Sequence, residues 1–549
     1  MPAASDAVRG STGSPRTVLV LTVNVAEILG RDFGVVTDLI RTHAAQRPSN
    51  AALLQDDRRL DYGELDALMD RVAAALQRDG VRPRSAIAIC AANSIEYAVV
   101  FLGALRAGVV VAPLSPSSTA ASLANMVADA EASHLYLDGA AAEALASAHD
   151  SNAARRVALD AGADGAALGD WLAPIGARPK PVAIQPDWPF NIIYSSGTTG
   201  TPKGIVQPHA MRWAHVQRGP VYGYGPDAVT LLSTPFYSNT TLVSFFPTLA
   251  TGGAVLLMAK FDAQRYLTLA QRHRVTHTML VPVQYQRLMA QPDFDRHDLS
   301  SYRMKLSTSA PFGAGLKAEI LRRWPGALVE FYGMTEGGGT CVLSARDHPD
   351  KLHTVGLPAP GHDIRLIDED GREAGAGEAG EVVGHSGGMM TGYHRQPGQT
   401  AQAEWFDATG KRFIRTGDVG RFDADGFLIL LDRKKDMIIS GGFNIYPSDL
   451  EGVLRQHTDV ADVAVVGVPS ERWGETPVAF VVARAAARST CDDLLQWANA
   501  RVGKMERLAA VEMIESLPRS PIGKVLKREL RDQYSPDIDG DQESLSRGQ

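Results

Sequence analysis

The chain alternates short apolar runs with amphipathic stretches, and this alternation constrains its fold more than any other feature. A strand, a helix and a strand are predicted in turn at residues 85–90, 97–107 and 109–112. The same order returns at residues 254–258, 265–274 and 278–281. Because parallel strands need a crossover such as a helix between them, the pattern predicts an α/β fold whose large N-terminal domain has several subdomains and mostly parallel sheets.

The C-terminal part has a different pattern. After the charged cluster 432–436 come a glycine turn, a helix over 447–455 and strands over 460–468 and 478–483, which predict a small α+β domain. The residues at the two ends of the chain are mostly small, polar or acidic, and such a composition is typical of disordered segments. We therefore predict a disordered N-terminus, a large domain, a hinge, a small mobile domain and a disordered tail at residues 1–16, 17–432, 433–436, 437–534 and 535–549.

Composition excludes several classes of protein. A length of 549 residues predicts two to four domains, and a net charge of -7 argues against a protein that coats nucleic acid. Three widely separated cysteines without a CxxC pair indicate neither a disulfide framework nor a zinc site. The apolar stretch 18–23 is too short for a signal peptide, and no run approaches a membrane span. We expect a cytoplasmic protein and leave a homodimer open.

The segment YSSGTTGTPKG at residues 194–204 carries the strongest chemical signal. It places three glycines, five Ser and Thr hydroxyl groups and one lysine directly after the apolar run 190–193. Glycines let backbone N–H groups approach phosphate oxygens, and hydroxyl groups donate further hydrogen bonds. The spacing is not that of a Walker loop, and a flexible surface linker would not need this order of residues. The segment predicts a polyphosphate site.

Four further motifs follow in order: YGMTE at 332–336, RTGD at 415–418, DRKKDMIISGGFNIYPSDLE at 432–451 and PRSPIGK at 518–524. With the loop, they resemble the signatures of the adenylate-forming (ANL) superfamily, in its branch of acyl-CoA synthetases and AMP-dependent ligases. The resemblance covers about residues 38–530. It implies that ATP activates a carboxylic acid as an acyl-AMP, and that coenzyme A or a separate carrier protein then takes the acyl group.

The resemblance also implies roles for particular residues. Tyr332 offers a flat face for adenine, Asp418 accepts hydrogen bonds from the ribose, and Arg433 carries a fixed charge near the ribose and phosphate. The full set expected to bind ATP or AMP comprises Ser195, Ser196, Gly197, Thr198, Thr199, Gly200, Lys203, Ser309, Ala310, Pro311, Tyr332, Gly333, Met334, Asp418 and Arg433.

Three residues are expected to carry the chemistry. Lys524 would bridge the substrate carboxylate and the α-phosphate, where a positive charge lowers the barrier between two anions. Thr335 would hydrogen-bond the α-phosphate, and Glu336 would supply the hard oxygen ligand that Mg²⁺ prefers beside phosphates. The expected cofactors are thus ATP, Mg²⁺ and coenzyme A.

The second half-reaction and the acid imply further positions. Lys435 stands at the family's hinge, and Ser440, Gly441, Gly442 and Phe443 would line the tunnel for coenzyme A. The acyl pocket is expected at Tyr237, Ser238, Asn239, Thr308, Gly337 and Gly338. Many relatives carry His at the position of Tyr237, so a role for this residue in thioester formation is in doubt. The absence of acidic residues in the stretch 235–240 weakens an α-amino acid as substrate and favours an apolar or aromatic acid.

Two other readings of the sequence belong to different classes. The stretch GHSGG at 384–388 formally matches the nucleophile elbow of a serine hydrolase, but two glycines and a proline follow where that motif needs a helix. A nucleotide-binding protein without catalysis would not need both Glu336 and Lys524. An acid ligase remains the best interpretation.

Overall fold

The computed structural model describes residues 24–146, 154–195, 203–440, 443–470, 473–503, 506–520 and 523–534. The first part of the chain folds as predicted from its periodicity. Asp61 and Glu64 form a reciprocal capping box, and Ser94 caps the helix that follows the first buried strand. The elements up to residue 195 are α1 (Val25–Leu29), α2 (Val36–Gln46), β1 (Ala51–Gln55), β2 (Arg58–Asp61), α3 (Tyr62–Arg78), β3 (Ala86–Cys90), α4 (Ile95–Arg106), β4 (Val110–Leu114), α5 (Ala120–Asp129), β5 (His134–Leu137), α6 (Gly139–Leu145), β6 (Arg155–Ala158), β7 (Ala166–Ala167), α7 (Leu168–Trp171) and β8 (Pro189–Ser195).

The middle of the chain repeats the alternation of strands and helices. Two short 3₁₀ helices, Gly219–Tyr222 and Phe294–Arg296, interrupt it. The elements are β9 (Lys203–Pro208), α8 (His209–Gln217), β10 (Val229–Leu232), α9 (Asn239–Ala250), β11 (Ala254–Leu257), α10 (Ala263–Arg272), β12 (His277–Leu280), α11 (Pro282–Met289), β13 (Met304–Ser307), α12 (Ala314–Arg323), β14 (Ala327–Tyr332), β15 (Cys341–Ser344) and β16 (Leu357–Pro358).

The remaining chain forms two smaller units in which most strands pair antiparallel. The first consists of β17 (Asp363–Ile367), β18 (Gly380–His385), β19 (Gly392–Tyr393), α13 (Pro397–Gln402), β20 (Glu404–Phe406), β21 (Arg412–Phe422) and β22 (Leu428–Arg433), although β19 joins another sheet. The second consists of β23 (Ile438–Ser440), β24 (Phe443–Ile445), α14 (Pro447–Leu454), β25 (Val460–Ser470), β26 (Gly474–Ala483), α15 (Cys491–Asn499), β27 (Ala510–Met513) and α16 (Lys527–Gln533).

Two large sheets form the N-terminal part. One runs in the order β16-β15-β14-β13-β12-β10-β11-β1-β2, and its interior pairings from β14 to β1 are all parallel. The other runs β19-β9-β8-β4-β3-β5-β6-β7 and is parallel from β8 to β7. A large apolar cluster from α3, α4 and α9 is buried with strands of both sheets. The predicted α/β class with mostly parallel sheets is confirmed.

The C-terminal unit is an α+β structure with its own core. Its strands run β24-β23-β26-β25 with β27 paired to β26, and buried side chains of α14 and α15 pack on them. The predicted glycine turn before α14 is flanked by the paired strands β23 and β24. The predicted disordered ends, 1–16 and 535–549, lie outside the described residues.

Topology places the loops that matter at one edge. The carboxyl ends of parallel strands meet at the same edge of a sheet, and ligands bind there in open α/β folds. In the first sheet this edge carries the segments after β10, β13 and β14. In the second it carries the segments after β4 and β8. These segments contain the residues that the motifs single out.

Candidate active site

A cavity of about 1770 Å³ opens at the carboxyl edges of both parallel sheets. Thr308 and Ser309 reach it from the end of β13, and Gly333 to Gly337 from the end of β14. Ser115 after β4 and Ser195 at the end of β8 line the facing wall. The C-terminal unit contributes Lys524. Five separate parts of the chain thus surround one space.

The predicted phosphate loop enters this cavity at both ends. Ser195 and Lys203 line it, and they are paired across the antiparallel strands β8 and β9. The Lys203 ammonium lies 5.2 Å from the centre of the Tyr393 ring, in a cation–π contact. The other predicted loop residues, Ser196, Gly197, Thr198, Thr199 and Gly200, lie outside the described residues.

Residues of the second sheet hold Thr335 and Glu336 in place by hydrogen bonds. Gln207 Nε2 donates to the Thr335 carbonyl over 2.6 Å, and the Tyr393 hydroxyl donates to Glu336 Oε1 over 2.9 Å. The Met390 N–H also donates to the Glu336 carbonyl over 2.7 Å. Since Tyr393 contacts only one carboxylate oxygen, the other is left for a ligand in the cavity, which both residues line.

The predicted nucleoside residues Tyr332, Asp418 and Arg433 contact one another. The Tyr332 hydroxyl donates to Asp418 Oδ2 over 2.9 Å, and Arg433 Nε lies 3.0 Å from Asp418 Oδ1. Asp418 and Arg433 are direct partners across β21 and β22, which fixes this contact through the backbone. Burial and the Asp418 charge raise the pKa of Tyr332 well above its usual range. Arg433 lines the cavity, as do Gly333 and Gly417, the neighbours of Tyr332 and Asp418.

Ser309 occupies a strained position on the same edge. Its φ of 82° is in the left-handed region, which non-glycine residues rarely adopt. Its hydroxyl lies 2.6 Å from Thr240 Oγ1, which ties the segment after β13 to the start of α9. Ser309 lines the cavity, while Ala310 and Pro311 do not. Strain of this kind persists where surrounding contacts hold it, and it is frequent at ligand sites.

Lys524 reaches the cavity on a loop that touches the large N-terminal part. Gly523 has a φ of 79°, and a Cβ there would lie 2.7 Å from Val283 Cγ1 of α11. Only glycine combines this conformation with so close an approach. Burial, then the charges of Arg433 and Lys435, lower the pKa of Lys524 to about 8. The cavity therefore holds a cluster of cations, Arg433, Lys435 and Lys524, at one place.

Of the predicted coenzyme A residues, Ser440 does not line this cavity. Ser440 is buried at the end of β23, opposite Gly474 of β26. Gly441 and Gly442 lie outside the described residues, and Phe443 is described only as the first residue of β24. Lys435, the predicted hinge, does line the cavity.

Most predicted acyl-pocket residues line the cavity. Tyr237, Ser238, Asn239, Thr308 and Gly337 do so, and burial raises the pKa of Tyr237, whose hydroxyl interacts with Ser115 and Ser117. Gly338 instead backs onto β18, because a Cβ there would lie 2.9 Å from the Gly384 carbonyl oxygen. This glycine allows two backbone segments to approach each other.

The hydrolase interpretation is excluded by local structure. Ser386 follows β18, is 3% exposed and accepts a hydrogen bond from the Gly388 N–H over 3.1 Å. Within the fully described stretch 203–440, the next helix after Ser386 begins only at Pro397. A nucleophile elbow needs its helix directly after the serine.

Several residues in or beside the site lie outside the recognised motifs and were not predicted from the sequence. Tyr393 and Gln207 support Glu336 and Thr335, and Glu381 pairs with Arg415 over 2.9 Å. Arg218 on the turn after α8 and His362 before β17 meet in another part of the cavity wall. Only the fold brings these separated positions together, so no spacing in the sequence could have indicated them.

None of the helices in the described part of the chain is long and apolar enough to cross a bilayer. No group of three or more His, Cys, Asp and Glu side chains is arranged there to hold a metal ion.

Comparison with known proteins gives consistent matches over almost the whole chain. Residues 40–394 match the model of the AMP-binding enzyme family, and residues 449–524 match that of the AMP-binding enzyme C-terminal domain. An indoleacetate–CoA ligase of Aromatoleum aromaticum is 32% identical over 90% of this chain and 97% of its own length. A fatty acid–[acyl-carrier-protein] ligase, ScoC of Streptomyces coeruleorubidus, is 31% identical over 90% of this chain and 95% of its own. The ATP-bound structure of MatB from Rhodopseudomonas palustris superposes with a TM-score of 0.81 at 29% identity, covering 91% of this chain and 99% of that one.

Proposed function

This chain belongs to the AMP-binding enzyme family, and from that premise we propose that it is an AMP-forming ligase joining a carboxylic acid to the thiol of coenzyme A. In the first step an oxygen of the acid attacks the α-phosphorus of ATP, the bond from that phosphorus to the bridging oxygen breaks, and pyrophosphate leaves. In the second step the thiol loses its proton to solvent, its sulfur attacks the acyl carbon, and AMP leaves with the electron pair of the broken C–O bond. The observation that carries the proposal is Lys524 in one cavity with Glu336, Ser195 and Lys203.

Lys524 is the proposed catalytic residue of the first step. Two anions, the carboxylate and the triphosphate, must approach each other, and a fixed cation between them stabilises the charge that develops as the new bond forms. Burial, and then the charges of Arg433 and Lys435, lower the pKa of Lys524 in the free protein. A bound triphosphate would reverse that effect by adding negative charge, so nucleotide binding itself favours the charged ammonium.

Glu336 fits a magnesium ion held between protein and phosphate. Its side chain lines the cavity and Tyr393 occupies only one carboxylate oxygen. Mg²⁺ binds typically through one or two carboxylates together with phosphate oxygens, and when bound it would neutralise part of the triphosphate charge. Tyr393 would keep the Glu336 carboxylate turned towards that position.

The nucleoside is proposed to lie along the segment after β14. Tyr332 would offer its ring to adenine, and Asp418 would accept from the ribose once its present partners Tyr332 and Arg433 adjust. Gly333, Met334, Ser309, Ala310 and Pro311 would frame the base, with Thr335 on the α-phosphate. The residues 196–200 and Lys203 would hold the β- and γ-phosphates.

The second step would follow rotation of the C-terminal unit about Lys435. Lys524 sits in the cavity now, so the present arrangement suits adenylation. Rotation would withdraw Lys524 and bring Ser440, Gly441, Gly442 and Phe443 to the acyl-adenylate as the tunnel for coenzyme A. We propose domains over 17–432 and 437–534 with the hinge at 433–436. We further propose a cytoplasmic enzyme without nucleic-acid partners, in line with its net charge of -7, and a homodimer as its oligomeric state.

A carrier protein is the alternative acceptor. The similarity to ScoC, whose name gives an acyl carrier protein as acceptor, favours this second candidate. Both acceptors present a thiol to the same acyl-adenylate, so the first step is common to them.

The experiment separates the two steps. Acid-dependent exchange of labelled pyrophosphate into ATP reports adenylation without any acceptor, and a panel of fatty, aryl and small acids gives its specificity. Mass spectrometry after addition of coenzyme A, and separately of a phosphopantetheinylated carrier protein, identifies the thioester. Exchange with some acid and a coenzyme A thioester are expected; absence of exchange with every acid would refute the proposal.

A further inference from the structure

The cavity wall contains a cluster of nitrogen-bearing side chains, with the positive charge of Arg218, that the binding of ATP and metal does not explain. It is formed by His215 of α8, Arg218 one turn later and His362 before β17, and all three line the cavity. His215 and Arg218 are three residues apart and lie on one face of the chain around the end of α8, together with Met211 and Ala214, which also line the cavity. The cluster therefore faces the space where a substrate would bind.

The hydrogen bonds at His362 leave a donor without an acceptor. The Thr340 N–H donates to His362 Nδ1 over 2.8 Å, and Arg218 Nη2 lies 2.5 Å from His362 Nε2. Burial, then the charges of Arg218 and His385, lower the pKa of His362 to about 4, so the ring is neutral. A neutral imidazole accepts at only one nitrogen, and the backbone donor holds Nδ1. Nε2 therefore carries the proton, and both it and Arg218 are donors that need an acceptor.

The Arg218 charge has no carboxylate partner among the described residues. Three of the four acidic side chains that line the described cavity wall are engaged elsewhere: Glu336 with Tyr393, Glu381 with Arg415, and Asp436 with Arg531. The fourth, Glu529, lies on α16 and forms no ion pair with Arg218 among the described residues. Burial lowers the pKa of both Arg218 and His215, and the charges that act on His215 are all positive. His215 Nδ1 is buried without a hydrogen-bond partner. Partly buried charge without compensation is costly, and a bound anion would remove that cost.

Apolar side chains line the same cavity and leave room for a carbon skeleton. Tyr222 and Phe331 form an edge-to-face pair with ring centres 5.2 Å apart. Val243, Pro247, Met279 and Leu306 line the cavity with them. An acid of aliphatic or aromatic body would fit such a wall, with a polar group at its far end.

We propose that the substrate is a dicarboxylic acid, whose reacting carboxylate meets Lys524 and whose distal carboxylate binds Arg218, the His362 Nε2–H and His215. This inference rests on the proposed function, because it names the class of acid for the same adenylation site. Arg218 and His362 are specificity residues in this proposal. A distal carboxylate satisfies the donors that the protein leaves open, whereas a monoacid would bury them against a methyl or phenyl group.

The test compares acids that differ only at the far end. Pyrophosphate exchange is measured for butanoate with succinate, hexanoate with adipate, decanoate with sebacate, and hydrocinnamate with its para-carboxy derivative. Charge-assisted hydrogen bonds contribute on the order of 1.5–3 kcal/mol each, so one diacid is expected to exceed its monoacid partner in kcat/KM by about 10- to 100-fold. A monoacid, or an acid with a terminal hydroxyl group, as the best substrate would overturn the proposal.

Variants then tie the preference to the cluster. Arg218→Met keeps the length of the side chain and is expected to lower the diacid-to-monoacid ratio by about 10- to 100-fold. Arg218→Lys retains charge without the planar fork and should restore part of the ratio. Arg287→Met is the matched control, since Arg287 is exposed on α11 away from the cavity and should leave the ratio unchanged. Thermal unfolding of each variant shows that it folds.

The outcomes separate this inference from the proposed function. If no acid supports exchange, the ligase assignment fails. If monoacids support exchange and Arg218→Met leaves the ratio unaltered, the ligase assignment stands and the dicarboxylate site is refuted. If Arg218→Met does not fold, the wild-type ratios together with Arg218→Lys still decide.

Discussion

The nucleotide side and the acid side of the cavity are built in different ways. On the nucleotide side, the contributing residues cluster in short motifs that lie within strands or at their ends: 332–336 begins at the last residue of β14, and 415–418 lies within β21. On the acid side, Arg218, Phe331 and His362 come from distant parts of the chain and share no motif. Binding of ATP requires a fixed geometry of the backbone, whereas the specificity for the acid can be changed by substitution of single side chains. Chemistry and specificity should therefore respond independently to mutation.

The largest expected effect is that of Lys524→Ala. Removal of one group that stabilises developing charge costs about 10²–10³ in rate, so adenylation should fall by that factor with every acid, leaving the ratios between acids unchanged. Pyrophosphate exchange across the acid panel measures this, with Lys260→Ala, an exposed lysine outside the cavity, as control. A loss confined to some acids would show that the two sides are not independent.

Gly523→Ala should reduce adenylation by about 10- to 100-fold, because a Cβ 2.7 Å from Val283 Cγ1 would push Lys524 out of position. The matched control is Gly410→Ala, since Gly410 has a similar φ of 82° and nothing within 4 Å of its added Cβ. Both variants incur backbone strain, but only the first displaces the lysine. Equal rates in the two variants would contradict the role of this contact.

The pH dependence of kcat/KM should report Lys524. Its pKa of about 8 means that the ammonium is charged below pH 8 and is lost as the pH rises through that value. Adenylation by the free enzyme should then fall about tenfold for each further pH unit. In Lys524→Arg this alkaline limb should disappear, since a guanidinium stays charged throughout the range. An unchanged limb in that variant would assign it to another group.

The smallest expected effect is that of Tyr393→Phe. Loss of the hydrogen bond to Glu336 Oε1 removes about 1 kcal/mol of positioning, so adenylation should fall about fivefold and require a higher concentration of Mg²⁺ for half-maximal rate. Tyr136→Phe serves as control because its buried hydroxyl has no hydrogen-bond partner within the described residues. A rate loss without a change in the Mg²⁺ requirement would argue against the link to the metal.

Much of the fold could be predicted from local sequence patterns, but the observed ends of helices and strands differ from the predicted ends by a few residues. The predicted strand at 85–90 is Ala86–Cys90, and the helix predicted at 97–107 is Ile95–Arg106, which begins earlier because Ser94 caps it. At the C-terminus the paired strands β23 and β24 flank what was predicted only as a turn. Short strands owe their existence to pairing, which a single stretch of sequence does not display.

The sequence by itself determined the order of strands and helices and the motif residues of the nucleotide side, because both depend on local spacing along the chain. Tertiary structure alone decided which motif residues line the cavity and how they contact one another: Thr335, Glu336 and Lys524 line it, and Asp418 contacts Tyr332 and Arg433. It also brought together the residues of the acid side. Arg218 and His362 are 144 positions apart in the chain, yet Arg218 Nη2 lies 2.5 Å from His362 Nε2. Contacts at such separation arise from the packing of sheets against each other, and no local pattern encodes them.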